Sequence, residues 1–293
     1  MYYRRKILLA LIEVFGGKLK RTDCQKLLFL FCQFKKNNFF DFFPYKYGGF
    51  SFLAYQDKKR LTDLGFLSHG EDFKLCTNKS FFGELKPTDR EALTSLSSRF
   101  KNLQGRALIR HVYLEYPYYT CRSKIFSDLL NSEEIEQIRL RWNKDKSPCL
   151  FTIGYEGLTI DAYLNKLVSN NVKMLIDVRR NPKSMKYGFS KSKLRFYVEK
   201  AGLEYFHIPA LGVPSKLRMN LNNPESYQEL FKFYRVQILP GQKKAIEKVK
   251  MLFCEYTRIA LTCFEADYNF CHRSIITEHL VKMPDFRTRI VHL

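Results

Sequence analysis

With 293 residues, 45% of them hydrophobic, the chain is long enough for two domains and too apolar for a disordered polymer. No run approaches the ~20 apolar residues of a membrane span, and the apolar stretch 7–12 behind the charged start is too short for a signal-peptide core, so a cytoplasmic protein without a membrane partner is expected. A formal net charge of +21, spread over both halves, excludes a single basic tail and points to a polyanion, and aromatic residues (15%) interleaved with the charge can stack on bases.

The chain begins with an apolar helix over 4–15 that Gly16-Gly17 stops. A second helix is expected from Thr22-Asp23, with Thr22 as its cap, carrying Leu27, Leu28, Leu30 and Phe31. Residues 43–51 read as a loop, 51–62 as a third helix and 72–83 as extended with a turn at Thr77-Asn78-Lys79. Three short helices followed by a wing describe a winged helix. On Gln25-Lys26-Leu27-Leu28-Phe29-Leu30 and Tyr45-Lys46-Tyr47-Gly48, the stretch resembles the winged-helix-like regions found fused to DUF488 domains. Lys18, Lys20, Arg21, Lys58, Lys59 and Arg60 flank its helices and are the candidate phosphate contacts.

Residues 87–147 read as a helical region. Thr88 with Glu91 suggests a capping box, 108–113 forms a helix ended by Pro117, and a last helix starts at Asn131. The polar run 144–148 marks a boundary, giving three parts: 1–86, 87–147 and 148–293.

Beyond it the pattern turns to strands alternating with helices. Strands are expected at 150–153, 174–178, 205–208, 258–263 and 290–292, and helices at 160–167, 191–202, 225–236, 241–254 and 274–281. The fold class is therefore α/β: a mostly parallel, Rossmann-like C-terminal sheet behind a mainly helical winged-helix-like domain.

In such a sheet, ligands bind beyond the carboxyl ends of the strands. Those positions hold Gly154, Tyr155 and Glu156; Asp177, Arg179, Arg180 and Ser184; Pro209, Leu211 and Gly212; and Cys263, Glu265, Asp267, Cys271, His272 and Arg273. Arg179, Arg180 and Arg273 suit phosphate, with Gly154, Tyr155, Ser184 and His207 beside them. Asp177 and Glu265 are the candidate acid/base pair, with Mg²⁺ kept open as cofactor. Cys271, next to His272 and a helix start, is a candidate nucleophile of lowered pKa, with His272 in the same catalytic set. Cys263 reads as packing. The eight cysteines contain no CxxC pair, so free thiols are expected; the spacing of Cys263, Cys271, His272 and His207 fits no standard zinc site, and no metal is assigned.

The motifs Thr152-Ile153-Gly154-Tyr155, Ile176-Asp177-Val178-Arg179-x-x-Pro182-x-Ser184, Tyr205-x-His207-x-Pro209-x-Leu211-Gly212 and Cys263-x-Glu265 with Cys271-His272-Arg273 resemble the DUF488 family over residues 150–282. The resemblance implies an enzyme-like site without an established reaction. Tyr155-Glu156 and Gly212-Val213-Pro214 depart from the family pattern.

The expected function is nucleic-acid binding, with DNA ahead of RNA, and hydrolysis of a phosphodiester or N-glycosidic bond. The alternative is a non-catalytic DNA-binding regulator or nucleotide sensor. A homodimer is left open.

Overall fold

The computed structural model describes residues 1–37, 39–218 and 224–293. They form two compact units, Met1–Trp142 and Asn143–Leu293. No helix among the described residues is long and apolar enough to cross a membrane.

In the first unit, α1 (Tyr3–Val14) is buried all round at its centre, residues 7–12. It stops because Gly16 and Gly17 take φ of +91° and +80°, which lets the Gly17 N–H reach back to the Ile12 carbonyl. After β1 (Lys18–Leu19), helix α2 (Arg21–Lys35) begins one residue before the expected Thr22 start. Its N-cap is Lys20, which provides no side-chain cap. The segment 43–51, expected as a loop, holds a hairpin of β2 (Phe43–Tyr45) and β3 (Gly48–Phe50). Pro44 disguises it in sequence, and Gly48 at φ +91° makes the turn. The hairpin is held to α2 by side chains: the Gln25 amide exchanges two hydrogen bonds with the Ser51 backbone, and Lys26 Nζ donates to the Gly49 carbonyl at 2.8 Å.

Ser51 caps α3 (Phe52–Asp63), its Oγ accepting from the Ala54 N–H. A second hairpin follows, with Leu67 opposite Leu75. Its return strand β4 (Phe73–Lys74) pairs antiparallel with β1. Helix α4 (Pro87–Phe100) starts with Pro87 in its first turn and Lys86 as N-cap, so Thr88 does not cap it. Residues of α4 and α5 (Gly105–Glu115) lie in the same hydrophobic core as α1 and α2, so 87–115 completes that unit's core. After α6 (Phe126–Leu129) comes α7 (Ser132–Leu140), opened by a reciprocal Asn131–Glu134 capping box.

The second unit is a five-stranded, all-parallel sheet of β5 (Cys149–Gly154), β6 (Met174–Asp177), β7 (Glu204–His207), β8 (Arg258–Cys263) and β9 (Arg289–His292), in the order β7-β6-β8-β5-β9. The connecting helices are α8 (Ile160–Ser169), α9 (Lys191–Lys200), α10 (Pro224–Phe233), α11 (Lys243–Tyr256) and α12 (His272–Val281). The strands β5, β6 and β8 are buried along their whole length, which is why they read as continuous apolar runs. In-register pairing places Asp177 opposite both Thr262 and His207, and Gly154 opposite Cys263, so the loops after four strands rise from one edge of the sheet.

Candidate functional site

Asp177 ends β6 fully buried. Its Oδ1 accepts from the Arg179 backbone N–H at 3.1 Å and from Arg179 Nε at 2.8 Å. Its Oδ2 accepts from Arg179 Nη2 at 2.6 Å and the Tyr205 hydroxyl at 2.8 Å. Four bonds fill the acceptor capacity of a carboxylate. Arg179 is buried too. Its Nη1 donates to the Tyr155 hydroxyl at 3.0 Å and the Phe189 carbonyl at 2.8 Å, so four of its five donors are engaged inside the protein. The Tyr155 ring stacks on Phe189 with centroids 4.4 Å apart. His207 donates through Nε2 to the Arg179 carbonyl at 2.8 Å, which steadies the same turn. The bidentate pair, with its aromatic cover, explains why Asp, Arg, Tyr and His occur at these strand ends: each closes another's polar atoms.

Two glycines make the edge compact. A Cβ on Gly154 would lie 1.8 Å from the Glu265 carbonyl oxygen, and one on Gly212 would lie 2.0 Å from the Arg180 nitrogen. Only glycine permits these approaches. The loop after β8 is further tied to the loop after β5. The Phe264 carbonyl accepts from the Tyr155 and Glu156 N–H groups, and Glu156 Oε2 accepts from the Ala266 N–H at 2.9 Å.

Arg273 is buried and donates to the carbonyls of Glu265 (2.6 Å) and Ala266 (2.9 Å). The two expected phosphate clamps, Arg179 and Arg273, are thus buried, Arg179 with four of its donors and Arg273 with two given to the chain itself. Arg180 is exposed, with one 3.4 Å contact to the Pro209 carbonyl. Ser184 accepts from the Lys186 N–H and lines an open groove of about 670 Å³ with Lys183, Lys191 and Arg195. The expected single cleft therefore divides into a closed Asp177–Arg179 knot and a separate basic surface.

The end of β8 is different. Cys263, Cys271 and His272 are buried with their ligating atoms within 4.8 Å of one another. His272 Nδ1 lies 3.8 Å from both sulfurs. Its Nε2 faces the Val178 carbonyl at 3.2 Å; a carbonyl can only accept, so Nε2 carries the proton and Nδ1 turns its lone pair to the thiols. The Glu265 carboxyl faces the same thiols, and its Oε2 is buried with no hydrogen-bond partner. Burial, chiefly, raises the Glu265 pKa, with the Cys263 charge adding to it. Burial also pushes the Cys271 thiol well up, which reverses the lowered pKa expected at a helix start: Cys271 is the N-cap of α12, but its sulfur is desolvated. Cys263, expected as packing, joins this cluster. Tyr205 and Phe189 were also missed as partners of the knot.

In the first unit, Lys18, Lys20, Arg21, Lys59 and Arg60 are exposed, Lys18 lying 3.6 Å from Asp72. Lys58 is more engaged than expected: its Nζ donates to the carbonyls of Gly70 and Glu71 at 2.7 and 2.6 Å, which commits two of its three donors to tying the second hairpin to α3.

Residues 159–280, from the cap of α8 to the last turns of α12, match the model of the family described as "Domain of unknown function DUF488". No curated protein and no solved structure gives a match.

Proposed function

We propose that the protein, which carries a DUF488 domain in its second unit, is a nucleic-acid-binding protein whose first unit is winged-helix-like. The observation that carries this reading is the set of three helices α1, α2 and α3, the β2–β3 hairpin lying between the last two, followed by a second hairpin whose return strand β4 pairs with β1, with α3 bearing exposed Lys59 and Arg60. A cleft of about 400 Å³ between α3 and the hairpin adds Arg21, whose guanidinium lies over the Tyr55 ring, and His69. Basic side chains beside a hairpin fit a phosphate backbone. Duplex DNA is the favoured partner, because a helix of this kind enters a major groove.

The non-catalytic form of the function is favoured. Hydrolysis through Asp177 and Glu265 would need an Asp177 carboxylate able to take a proton or hold Mg²⁺, and all its acceptor sites are occupied by Arg179 and Tyr205. The test is a titration of labelled duplex with the full-length protein at rising salt. Affinity is expected to fall by at least about ten-fold between roughly 50 and 200 mM salt. Lys59→Ala and Arg60→Ala together should weaken binding and flatten that slope, whereas Lys183→Ala should weaken it less. Affinity that does not vary with salt sinks the reading. Metal-dependent cleavage of the duplex would restore the hydrolytic alternative.

A further inference from the structure

We propose that Cys263, Cys271 and His272, with Glu265 as fourth donor, form a zinc site at the carboxyl end of β8. Two sulfurs, one imidazole nitrogen and one carboxylate oxygen are a donor set that suits a borderline-soft divalent ion. The geometry is close to what zinc needs. With Zn–S of about 2.3 Å and Zn–N of about 2.0–2.1 Å, a tetrahedral site places sulfur and nitrogen about 3.6 Å apart. Both sulfurs lie 3.8 Å from Nδ1, so the two sulfur–nitrogen edges need to contract by only a few tenths of an ångström, and the three ligating atoms lie within 4.8 Å of one another.

Three independent features point to a ligand at this place. The imidazole is oriented as a metal ligand is, its outer Nε2–H held by the Val178 carbonyl so that Nδ1 offers its lone pair inward. Glu265 keeps a buried carboxylate oxygen with no donor, an expensive omission in a protein interior. Arg273, adjacent to His272, is a buried cation whose hydrogen bonds go to two carbonyls and whose Nε has no partner. Two thiolates and a carboxylate around a dication carry one net negative charge, and the Arg273 guanidinium neutralises it. The ligands come from a strand end, a loop and a helix start, so the ion would lock the 264–271 loop onto the sheet.

Binding releases the thiol protons to solvent and involves no redox change, so nothing further is consumed. The competing outcome for two neighbouring thiols is a Cys263–Cys271 disulfide.

The experiment begins with the full-length protein, purified without chelator and assayed for metals. About one zinc per chain is expected. The chelator-stripped protein is then titrated with cobalt(II), and the visible bands of a tetrahedral, thiolate-bound ion are expected. Cys263→Ser and Cys271→Ser should each weaken cobalt binding by about 100-fold or more, since even outer-shell changes cost 10–100-fold. Cys254→Ser, at an exposed thiol, should leave it unchanged. Folded wild-type protein that holds no zinc and develops no cobalt bands overturns the proposal whatever the variants do. So does a Cys263–Cys271 disulfide in freshly purified protein, or zinc retained undiminished by both serine variants.

Discussion

The ends of β6 and β8 lie side by side, Asp177 opposite Thr262, yet they bury polar groups in opposite ways. At β6 every strong group has found its complement. Asp177 takes four hydrogen bonds, and Arg179 gives three of them while two more of its donations go to Tyr155 and Phe189. At β8 the groups converge with one atom left over: two thiols face one imidazole nitrogen, the Glu265 carboxyl meets both thiols, and its Oε2 has no hydrogen-bond partner. A saturated buried network is a structural device, because nothing in it is left to bind with. An unsaturated one has polar atoms left to bind with. Charge and residue type alone would rank the first end as the site; hydrogen-bond accounting reverses the ranking.

The largest expected effect breaks the saturated end. Arg179→Met keeps the aliphatic stem and removes the cation, leaving Asp177 buried with one remaining side-chain donor. Losing one partner of a buried pair costs about 3–5 kcal/mol. Urea unfolding followed by circular dichroism at neutral pH measures it. A cost under about 1 kcal/mol would mean that the pair opens to water and that Arg179 is free to meet a ligand.

A third buried charge sharpens the comparison from the first unit. Lys26 is buried as deeply as Arg179, but its Nζ has a backbone carbonyl where Arg179 has a carboxylate. Burial lowers its pKa to about 7, with Asp23 acting against the shift, whereas Asp177 holds Arg179 above its ordinary value despite burial. Between that folded pKa and the unfolded value near 10.5, the unfolded chain binds a proton that the native state lacks, so stability rises with pH. The clean window is from about pH 7 to about 8.5, above which thiols such as Cys32, raised by burial to about 12, reverse the trend. Across the window the gain approaches about 2 kcal/mol. Trp142, the one tryptophan, packs on Phe126 in the same unit and reports its unfolding. Lys26→Met should remove the rise; a wild type whose stability is flat over this window contradicts the assignment.

How much of this was legible in the sequence depends on whether the signal was local. The parallel sheet was legible because strands buried on both faces leave unbroken apolar runs such as Ile259-Ala260-Leu261, and the glycines and prolines between them mark the loops. The β2–β3 hairpin was not, because three-residue strands containing Pro44 and two glycines carry no alternation. Lys58 resembled a surface lysine because it stands in a run with Lys59 and Arg60, which are exposed; only the path of the 66–76 hairpin reveals that two carbonyls capture it. The Cys263, Cys271 and His272 set was weighed as a zinc site and left unassigned for a related reason. Searches for paired cysteines presume that one turn supplies both thiols, whereas here a strand end supplies Cys263 and the start of a helix supplies Cys271 and His272. A usable signal was present: two cysteines and a histidine at adjoining ends of one strand–loop–helix unit, with a carboxylate between them.

The smallest expected effect is also the most direct measure of the difference between the two ends. Tyr205→Phe and Glu265→Gln each change one polar group while keeping the shape of the side chain. Tyr205 donates to Asp177 Oδ2 at 2.8 Å, and its own pKa is raised, by burial first and then by the Asp177 charge. Removing that hydroxyl takes a hydrogen bond from an ionised group without opening a cavity, and should cost about 1.5 kcal/mol. Glu265 Oε2 has no hydrogen-bond partner, and an amide keeps an acceptor for the thiols beside it while relieving the cost of keeping a carboxylate out of water. In protein stripped with chelator, Glu265→Gln should therefore be neutral or slightly stabilising. With zinc restored, the same variant should lose part of the stabilisation that the ion confers on the wild type, because a ligand that binds only the folded state stabilises in proportion to its affinity. If Glu265→Gln instead destabilises the stripped protein as much as Tyr205→Phe does, Glu265 already has its partner inside the fold, and the two strand ends are alike after all.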